Sequence, residues 1–201
     1  MRSLRTQVAG IDVIMLRVSF TGDLGFEIYT QEANQVALYQ AVLQAGAEYE
    51  IRPVGGRALL SMRVEKGYGS WGREYSPEYW PQEVGLDRLI KLDKPTFLGR
   101  DAYLKLKDQT PRWRLVTLAV EATTADASGG EPICLGDGTP VGQVSSGTYG
   151  FTVEKSLAMG FIRNEHIDPT QAYQVMILGQ PHAATLLSEA AFDPAGQRLR
   201  S

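Results

Sequence analysis

Apolar and polar positions alternate along the first part of the chain in patterns that predict strands and helices in turn. Residues 11–20 and 26–30 are rich in β-branched and aromatic side chains, which predicts two strands joined by a glycine-containing turn at 21–25. Apolar residues at helical spacing predict helices over 32–47 and 56–66. The residues expected on their buried faces are Val36, Tyr39, Leu43 and Ala47 in the first helix, and Ala58, Leu59 and Met62 in the second.

Residues 67–86 are rich in aromatic residues and prolines and carry no regular pattern. Irregular segments of this length are uncommon in compact domains, and many of them are functional. A strand over 89–92 and a helix over 100–107 are predicted to follow, up to a domain boundary at Thr110-Pro111.

The pattern after residue 110 is that of an all-β unit. Short strands are predicted at 114–120, 132–135, 141–145, 156–162, 173–178 and 183–187. Strands of this length and spacing are typical of a small barrel or a sandwich. The sequence therefore predicts an α+β fold with two domains, residues 1–110 and residues 111–201.

Composition narrows the choice of partners. Twenty Lys and Arg against 23 Asp and Glu leave a net charge of −3, without the clustered basic excess that nucleic-acid binding needs. No apolar run reaches the roughly 20 residues that span a bilayer, so neither nucleic acid nor a membrane is an expected partner. We expect a soluble cytoplasmic protein, or a mitochondrial matrix protein in a eukaryote.

The single cysteine, Cys134, excludes an internal disulfide and fits a reducing compartment. Burial as a small hydrophobe is its expected role, because few histidines are present to activate a thiol. A metal site is not expected, since His166 and His182 lie far apart in the sequence.

Glu27 is the most informative charged residue. On a strand, Phe26 and Ile28 lie on one face and Glu27 on the other, so a carboxylate is expected in a half-buried setting that requires a partner. One interpretation is an ion pair, for which the candidates are Arg17, Arg57, Arg63 and Lys66. The other is a planar ligand edge with two parallel N–H donors, which a carboxylate accepts bidentately. The spacing alone favours the ion pair.

Several segments carry recognisable motifs in order along the chain. They are VSFTGDLGFEI (18–28), ALLSMRVEKGY (58–68), FLGRDA (97–102), GEPI (130–133), VGQVSSG (141–147) and SLAMGFI (156–162). In this order they resemble the aminomethyltransferase, or glycine cleavage T-protein, family. The second segment is similar to the SLRxEKGY helix of the family's dimethylglycine and sarcosine dehydrogenase branch.

The resemblance implies a fold and a cofactor. Residues 1–110 are expected to be the C-terminal half of a T-protein-type folate-binding α/β domain, followed by a small all-β barrel domain. Tetrahydrofolate is the implied cofactor, and Glu27 the implied ligand of its pterin, whose guanidine-like edge offers two N–H donors. Tyr68 is a second implied folate contact, with packing at the helix end as the alternative.

Two positions depart from the family pattern. Phe20 stands where the family has a tyrosine, so a flat aromatic contact to folate is kept without the hydroxyl. Leu59 stands where the glycine-cleavage branch has an arginine. Arg57 is the implied replacement as a folate-binding residue, with a surface salt bridge as the alternative. Both departures favour the dehydrogenase branch.

The resemblance also implies that the chain lacks a catalytic residue. The family's catalytic aspartate precedes the signature strand, where this chain has no matching position, and Asp23, Glu65 and Glu74 are interpreted as solvated or capping charges. The implied identity is the C-terminal fragment of a dimethylglycine/sarcosine dehydrogenase-like enzyme.

Such an enzyme transfers a one-carbon unit from a methylated amine to tetrahydrofolate and holds FAD in a separate domain outside this chain. We expect the fragment alone to be inactive, and to self-associate through the face that truncation leaves open. The alternatives are a non-catalytic folate-binding or scaffold module, and a folate-dependent demethylase of the same family.

Overall fold

A computed structural model describes residues 2–200. Of these residues, 2–63 and 195–200 belong to one compact unit, and a second unit runs from Val64 to Pro194. The strands are β1 (Arg2–Val8), β2 (Ile11–Arg17), β3 (Phe26–Tyr29), β4 (Trp113–Val120), β5 (Pro132–Leu135), β6 (Pro140–Gly150), β7 (Lys155–Arg163), β8 (Tyr173–Ile177) and β9 (Gln180–Leu186). The α-helices are α1 (Gln35–Gly46), α2 (Gly56–Glu65) and α3 (Arg100–Leu106), and short 3-10 helices cover Glu32–Asn34, Ala47–Tyr49, Pro81–Glu83, Asp87–Leu89 and Asn164–His166. None of the helices within residues 2–200 has the length and apolar character needed to cross a membrane.

In the first unit, β1, β2 and β3 form an antiparallel sheet in chain order. The β1–β2 hairpin turns at Ala9-Gly10, where both residues have positive φ, as a two-residue type I′ loop requires. The prediction missed β1, because this edge strand has mostly polar, exposed side chains and therefore no apolar period. β2 ends at Arg17, earlier than the predicted end at residue 20.

The first predicted helix is confirmed as α1, but its predicted buried face is wrong. Val36 and Tyr39 are 68% and 55% exposed, whereas Leu38 is buried and Ala41 and Val42 are half-buried. Leu38, Ala41 and Val42 follow the i, i+3, i+4 spacing of one helix face. Apolar residues occur around much of the helix, so the sequence alone is compatible with more than one buried face. In the structure, the face centred on Leu38 is the one that packs against the rest of the unit.

The second predicted helix is confirmed as α2, which ends one residue before the predicted limit. Its predicted buried face is also wrong, because Ala58 is exposed and Leu59 is 38% exposed. The fully buried residues of α2 are Ser61, Arg63, Val64 and Glu65. A buried face that is largely polar leaves no apolar period in the sequence. Gly67 follows with φ +70 and donates its N–H to the Val64 carbonyl at 3.0 Å, which ends the helix.

In the second unit, β4 to β9 form a closed antiparallel barrel in the order β4-β7-β6-β5-β8-β9. Every strand predicted after residue 110 overlaps one of these, and the α+β fold class with a small barrel is confirmed. The barrel core contains Leu118, Ile133, Val141, Val144, Ala158, Ile162, Tyr173, Val175 and Ile177. Each fully buried aliphatic side chain stabilises the fold by about 1.5–3 kcal/mol relative to exposure, so this core is the main source of stability in the unit.

Between α2 and the barrel, one predicted element is confirmed and one is wrong. α3 matches the predicted helix over 100–107 to within one residue. The predicted strand over 89–92 does not form, because Asp87–Leu89 is a 3-10 helix and Leu89 is 59% exposed. A four-residue apolar run is too short to separate a strand from other conformations by pattern alone.

Candidate functional site

Glu27 lies in the middle of β3, opposite Leu16 of β2. It shares its face of the sheet with Tyr29, while Phe26 and Ile28 lie on the other face, as alternation predicts. The Glu27 side chain is exposed, so the prediction of a half-buried carboxylate is wrong. The Tyr29 hydroxyl donates a hydrogen bond to the Glu27 carboxylate, and this bond, aided by the carboxylate charge, raises the pKa of Tyr29.

Arg17, one of the four candidate ion-pair partners of Glu27, does not form that pair in the structure. Arg17 lies opposite Phe26, which places its side chain on the other face of the sheet from Glu27. Its guanidinium donates instead to the Leu199 carbonyl at 3.3 Å. Arg57 is exposed in the first turn of α2.

The turn before β3 holds the aromatic residue of the signature segment. Phe20 is half-buried there, and the neighbouring Ser19 hydroxyl accepts the Gly22 N–H at 2.9 Å. Asp23 forms an ion pair with Arg198 at 2.9 Å, with both side chains well exposed. The interpretation of Asp23 as a solvated charge is therefore confirmed.

A hollow of about 620 Å³ is lined by residues of all three strands, which come from both faces of the sheet. The strand register places Arg5, Ile14 and Tyr29 in one row across the three strands, and all three line the hollow. Glu27 is not a lining residue of this hollow, and its link to it is the hydrogen bond that the Tyr29 hydroxyl donates to its carboxylate. The arrangement offers a ligand one acceptor carboxylate, one aromatic ring and one cation on an open surface.

Tyr68 belongs to the second unit, where it is half-buried at the start of the irregular loop over residues 67–86. It follows Gly67, which ends α2, and precedes Gly69, whose N–H donates to the Tyr75 hydroxyl at 3.1 Å. The structure thus holds the backbone on both sides of Tyr68, and its contact with folate stays a prediction.

Two carboxylates of the second unit are buried, contrary to the prediction. Glu65 and Glu74 are 2% and 0% exposed, which corrects their interpretation as solvated or capping charges. The Glu65 carboxylate accepts the backbone N–H groups of Thr152 and Val153 at 2.7 and 3.2 Å. A carboxylate is buried at low cost only with such donors, and here they come from distant parts of the chain.

Glu83, which the sequence did not single out, is buried as well, at 1% exposed. It accepts two bonds from the Arg112 guanidinium, at 2.9 and 3.0 Å, and backbone N–H bonds from Trp80, Arg112 and Trp113. Burial acts to raise the pKa of Glu83, but these donors outweigh it and hold the pKa below its ordinary value. Glu83 therefore fixes the far end of the loop to the start of β4.

Residues 2–200 contain no group of three or more His, Cys, Asp or Glu side chains that could hold a metal ion. Cys134 is 4% exposed in the barrel wall. Burial, and then the charge of Asp137, raises the pKa of its thiol. The geometry fits the structural role that was expected of Cys134.

Comparison with known families matches both parts of the chain. The family model described as "GCVT N-terminal domain" matches residues 1–94. The model described as "Glycine cleavage T-protein C-terminal barrel domain" matches residues 114–193, which include the strands of the closed barrel.

Individual relatives and one solved structure agree with these matches. Mitochondrial dimethylglycine dehydrogenase of Mus musculus is 34% identical over 96% of this chain and 22% of its own length. An aminomethyltransferase of Saccharopolyspora erythraea is 34% identical over 87% of this chain and 48% of its own length. The crystal structure of glycine cleavage system aminomethyltransferase T from Bartonella henselae has the same fold, with a TM-score of 0.84 and 23% identity over 96% of this chain and 53% of that one. The chain thus spans between about a fifth and a half of the length of the curated relatives it matches.

Proposed function

Because this chain belongs to the aminomethyltransferase, or glycine cleavage T-protein, family, we propose that it binds tetrahydrofolate and takes part in transferring a one-carbon unit to it. The observation that carries the proposal is the place of Glu27, which lies within the signature segment, exposed on a sheet face, with its carboxylate bonded to Tyr29, a residue that lines a hollow. Residues 1–110 contribute to the folate-binding domain, and residues 111–201 form the barrel domain.

The chemistry of Glu27 suits the pterin. An exposed carboxylate presents two oxygens to the paired N–H donors of a guanidine-like edge, and bonds to a charged acceptor contribute about 1.5–3 kcal/mol each once water is excluded. Phe20 supplies a flat apolar contact, Arg57 a cation, and Tyr68 a second aromatic contact. Tetrahydrofolate supplies the nitrogen that receives the one-carbon unit, and these residues bind and orient it.

The dehydrogenase relatives suggest the substrate class. We propose that the one-carbon unit comes from a methylated amine, and that the full protein holds FAD in a domain separate from these residues. We propose that the protein is located in the cytoplasm, or in the mitochondrial matrix in a eukaryote.

A second candidate is a non-catalytic folate-binding module. Two observations favour it: Phe20 lacks the hydroxyl of the family's tyrosine, and Leu59, at 38% exposed, stands where one branch has an arginine. The two candidates differ in turnover, because the module would bind tetrahydrofolate without consuming a methylated amine.

The test uses the full-length protein as its gene encodes it. Replacing Glu27 with Gln keeps the size of the side chain and removes one acceptor, so the dissociation constant for tetrahydrofolate should rise about tenfold. Glu32→Gln is the matched control, since Glu32 is also exposed and lies in the 3-10 helix that follows β3. Equal affinities of wild type and Glu27→Gln by titration calorimetry would show that the assigned role is wrong.

A further inference from the structure

Tyr68 begins a short segment whose two ends are both held. On one side, Gly67 ends α2 through its bond to the Val64 carbonyl. On the other, the Ser70 N–H donates to the Glu74 carboxylate at 2.8 Å. Only Tyr68 and Gly69 lie between these fixed points, so the position of the Tyr68 backbone depends on both of them.

Glu74 is the centre of the second fixed point. Its side chain is fully buried. One carboxylate oxygen accepts hydrogen bonds from the hydroxyls of Ser145 and Ser146 at 2.5 and 2.7 Å, and the other accepts the backbone N–H of Ser70. We call these four residues, Ser70, Glu74, Ser145 and Ser146, the Glu74 cluster. A buried carboxylate with three donors is strongly localised, because each donor bond to a charge is short and directional.

A β-bulge makes this cluster possible. Consecutive residues of a regular strand point to opposite faces, so Ser145 and Ser146 could not both reach one oxygen. The pairing of β6 with β7 shifts register between Val144 and Ser146, and such a bulge re-aims a side chain. β6 therefore offers two hydroxyls to a loop residue that lies 71 positions earlier in the chain.

We propose that Glu74 is a positioning residue for folate binding, which acts by holding the backbone of Tyr68 in its bound conformation. The inference rests on the proposed function and deepens it, because it assigns the buried Glu74 side chain a role in folate binding through the backbone of Tyr68. When the cluster is broken, Tyr68 must be ordered at the moment of binding. The entropy of fixing the side chain and its backbone then weakens affinity by a factor on the order of ten.

The experiment measures the affinity of the full-length protein for 5-formyltetrahydrofolate, a stable folate, by titration calorimetry. The variants are Glu74→Gln and the double variant Ser145→Ala/Ser146→Ala, with Glu78→Gln as the control because Glu78 is an exposed carboxylate of the same loop. We expect the affinity to be about tenfold weaker in both cluster variants and unchanged in the control. The double serine variant keeps the Glu74 side chain and its bond to the Ser70 N–H. If Glu74→Gln does not fold, the affinity of the double serine variant tests the positioning role alone.

A double-mutant cycle separates positioning from general destabilisation. In a Tyr68→Ala background, breaking the cluster should cost no further affinity, because the residue it positions is gone. If the losses of affinity from Tyr68→Ala and from the cluster variants were additive, the proposal would be wrong. It would also be wrong if both cluster variants kept the wild-type affinity while Glu27→Gln bound the folate weakly. If the wild-type protein itself does not bind the folate, the proposed function fails and this inference with it.

Discussion

Replacement of Glu83 by Gln should destabilise the second unit by about 3 kcal/mol, the lower end of the range for breaking a buried ion pair. The carboxylate has no exposed surface and accepts five hydrogen bonds, two of them from Arg112. Gln keeps the shape but turns one acceptor oxygen into an NH2 group that faces N–H donors. The Arg112 side chain is 49% exposed, and its hydration offsets part of the loss, which keeps the effect at the lower end.

The assay is urea unfolding followed by tryptophan fluorescence, which reports this unit because Trp71, Trp80 and Trp113 all lie in it. A loss of about 3 kcal/mol corresponds to a melting temperature roughly 6–12 °C lower for a chain of this size. Glu78→Gln, which changes an exposed carboxylate, should stay within about 0.5 kcal/mol of wild type. A Glu83→Gln variant as stable as this control would refute the argument.

The pH dependence supplies an independent check. The folded state lowers the pKa of Glu83 below its ordinary 4.5, so the stability it contributes is complete above that pH. It is lost as the pH falls through the lower, folded value. The stability difference between wild type and Glu83→Gln should therefore shrink in acid, and a difference that stays constant from neutral pH to well below 4.5 would contradict the assigned pKa shift.

Two further predictions concern other buried groups of the same unit. Lys66→Met should cost about 1.5–3 kcal/mol of stability in urea unfolding, because it removes the charged hydrogen bonds that the buried Lys66 ammonium donates to Asp193. Lys107→Met, in the exposed Lys107–Asp108 pair, should change stability by less than about 0.5 kcal/mol. Cys134 should react with a thiol-specific disulfide reagent only as fast as the barrel unfolds, because burial raises the pKa of its thiol, and rapid labelling in the absence of urea would contradict its buried position.

The barrel was predictable from the sequence because its signals are local. β5 has the predicted limits of 132–135, bounded by glycine-containing turns, and its Ile133 and Leu135 side chains pack against the barrel core. β6 runs to Gly150, past the predicted end at residue 145, because its second half, SSGTYG, is polar and carries no apolar alternation. The presence of each barrel strand could be predicted from its apolar residues and flanking turns. The length of β6, in contrast, depends on its pairing with β7.

The buried carboxylates were not predictable, because what decides their burial is remote in sequence. Glu74 meets its serine hydroxyls 71 and 72 positions away, and Glu65 meets Thr152 87 positions away. One weak signal existed: Ser145-Ser146 places two polar residues in succession after Val144, which breaks the alternation of β6 and fits a bulge. Nothing in the sequence connected that irregularity to the loop.

The exposure of Glu27 sets a condition on any folate site built around it. A carboxylate that pairs with N–H donors in open water gains about 0–1 kcal/mol, whereas the same bonds in a water-excluded site contribute about 1.5–3 kcal/mol each. Selective recognition of the pterin edge through Glu27 therefore requires that the sheet face be covered when the ligand is bound, by the ligand's own rings or by further protein surface. Tyr29 already donates to the carboxylate, so a pterin must displace this hydroxyl or share the acceptor with it. In the proposed site the signature glutamate would supply the acceptor, and the covering of its sheet face would determine how much affinity that acceptor contributes.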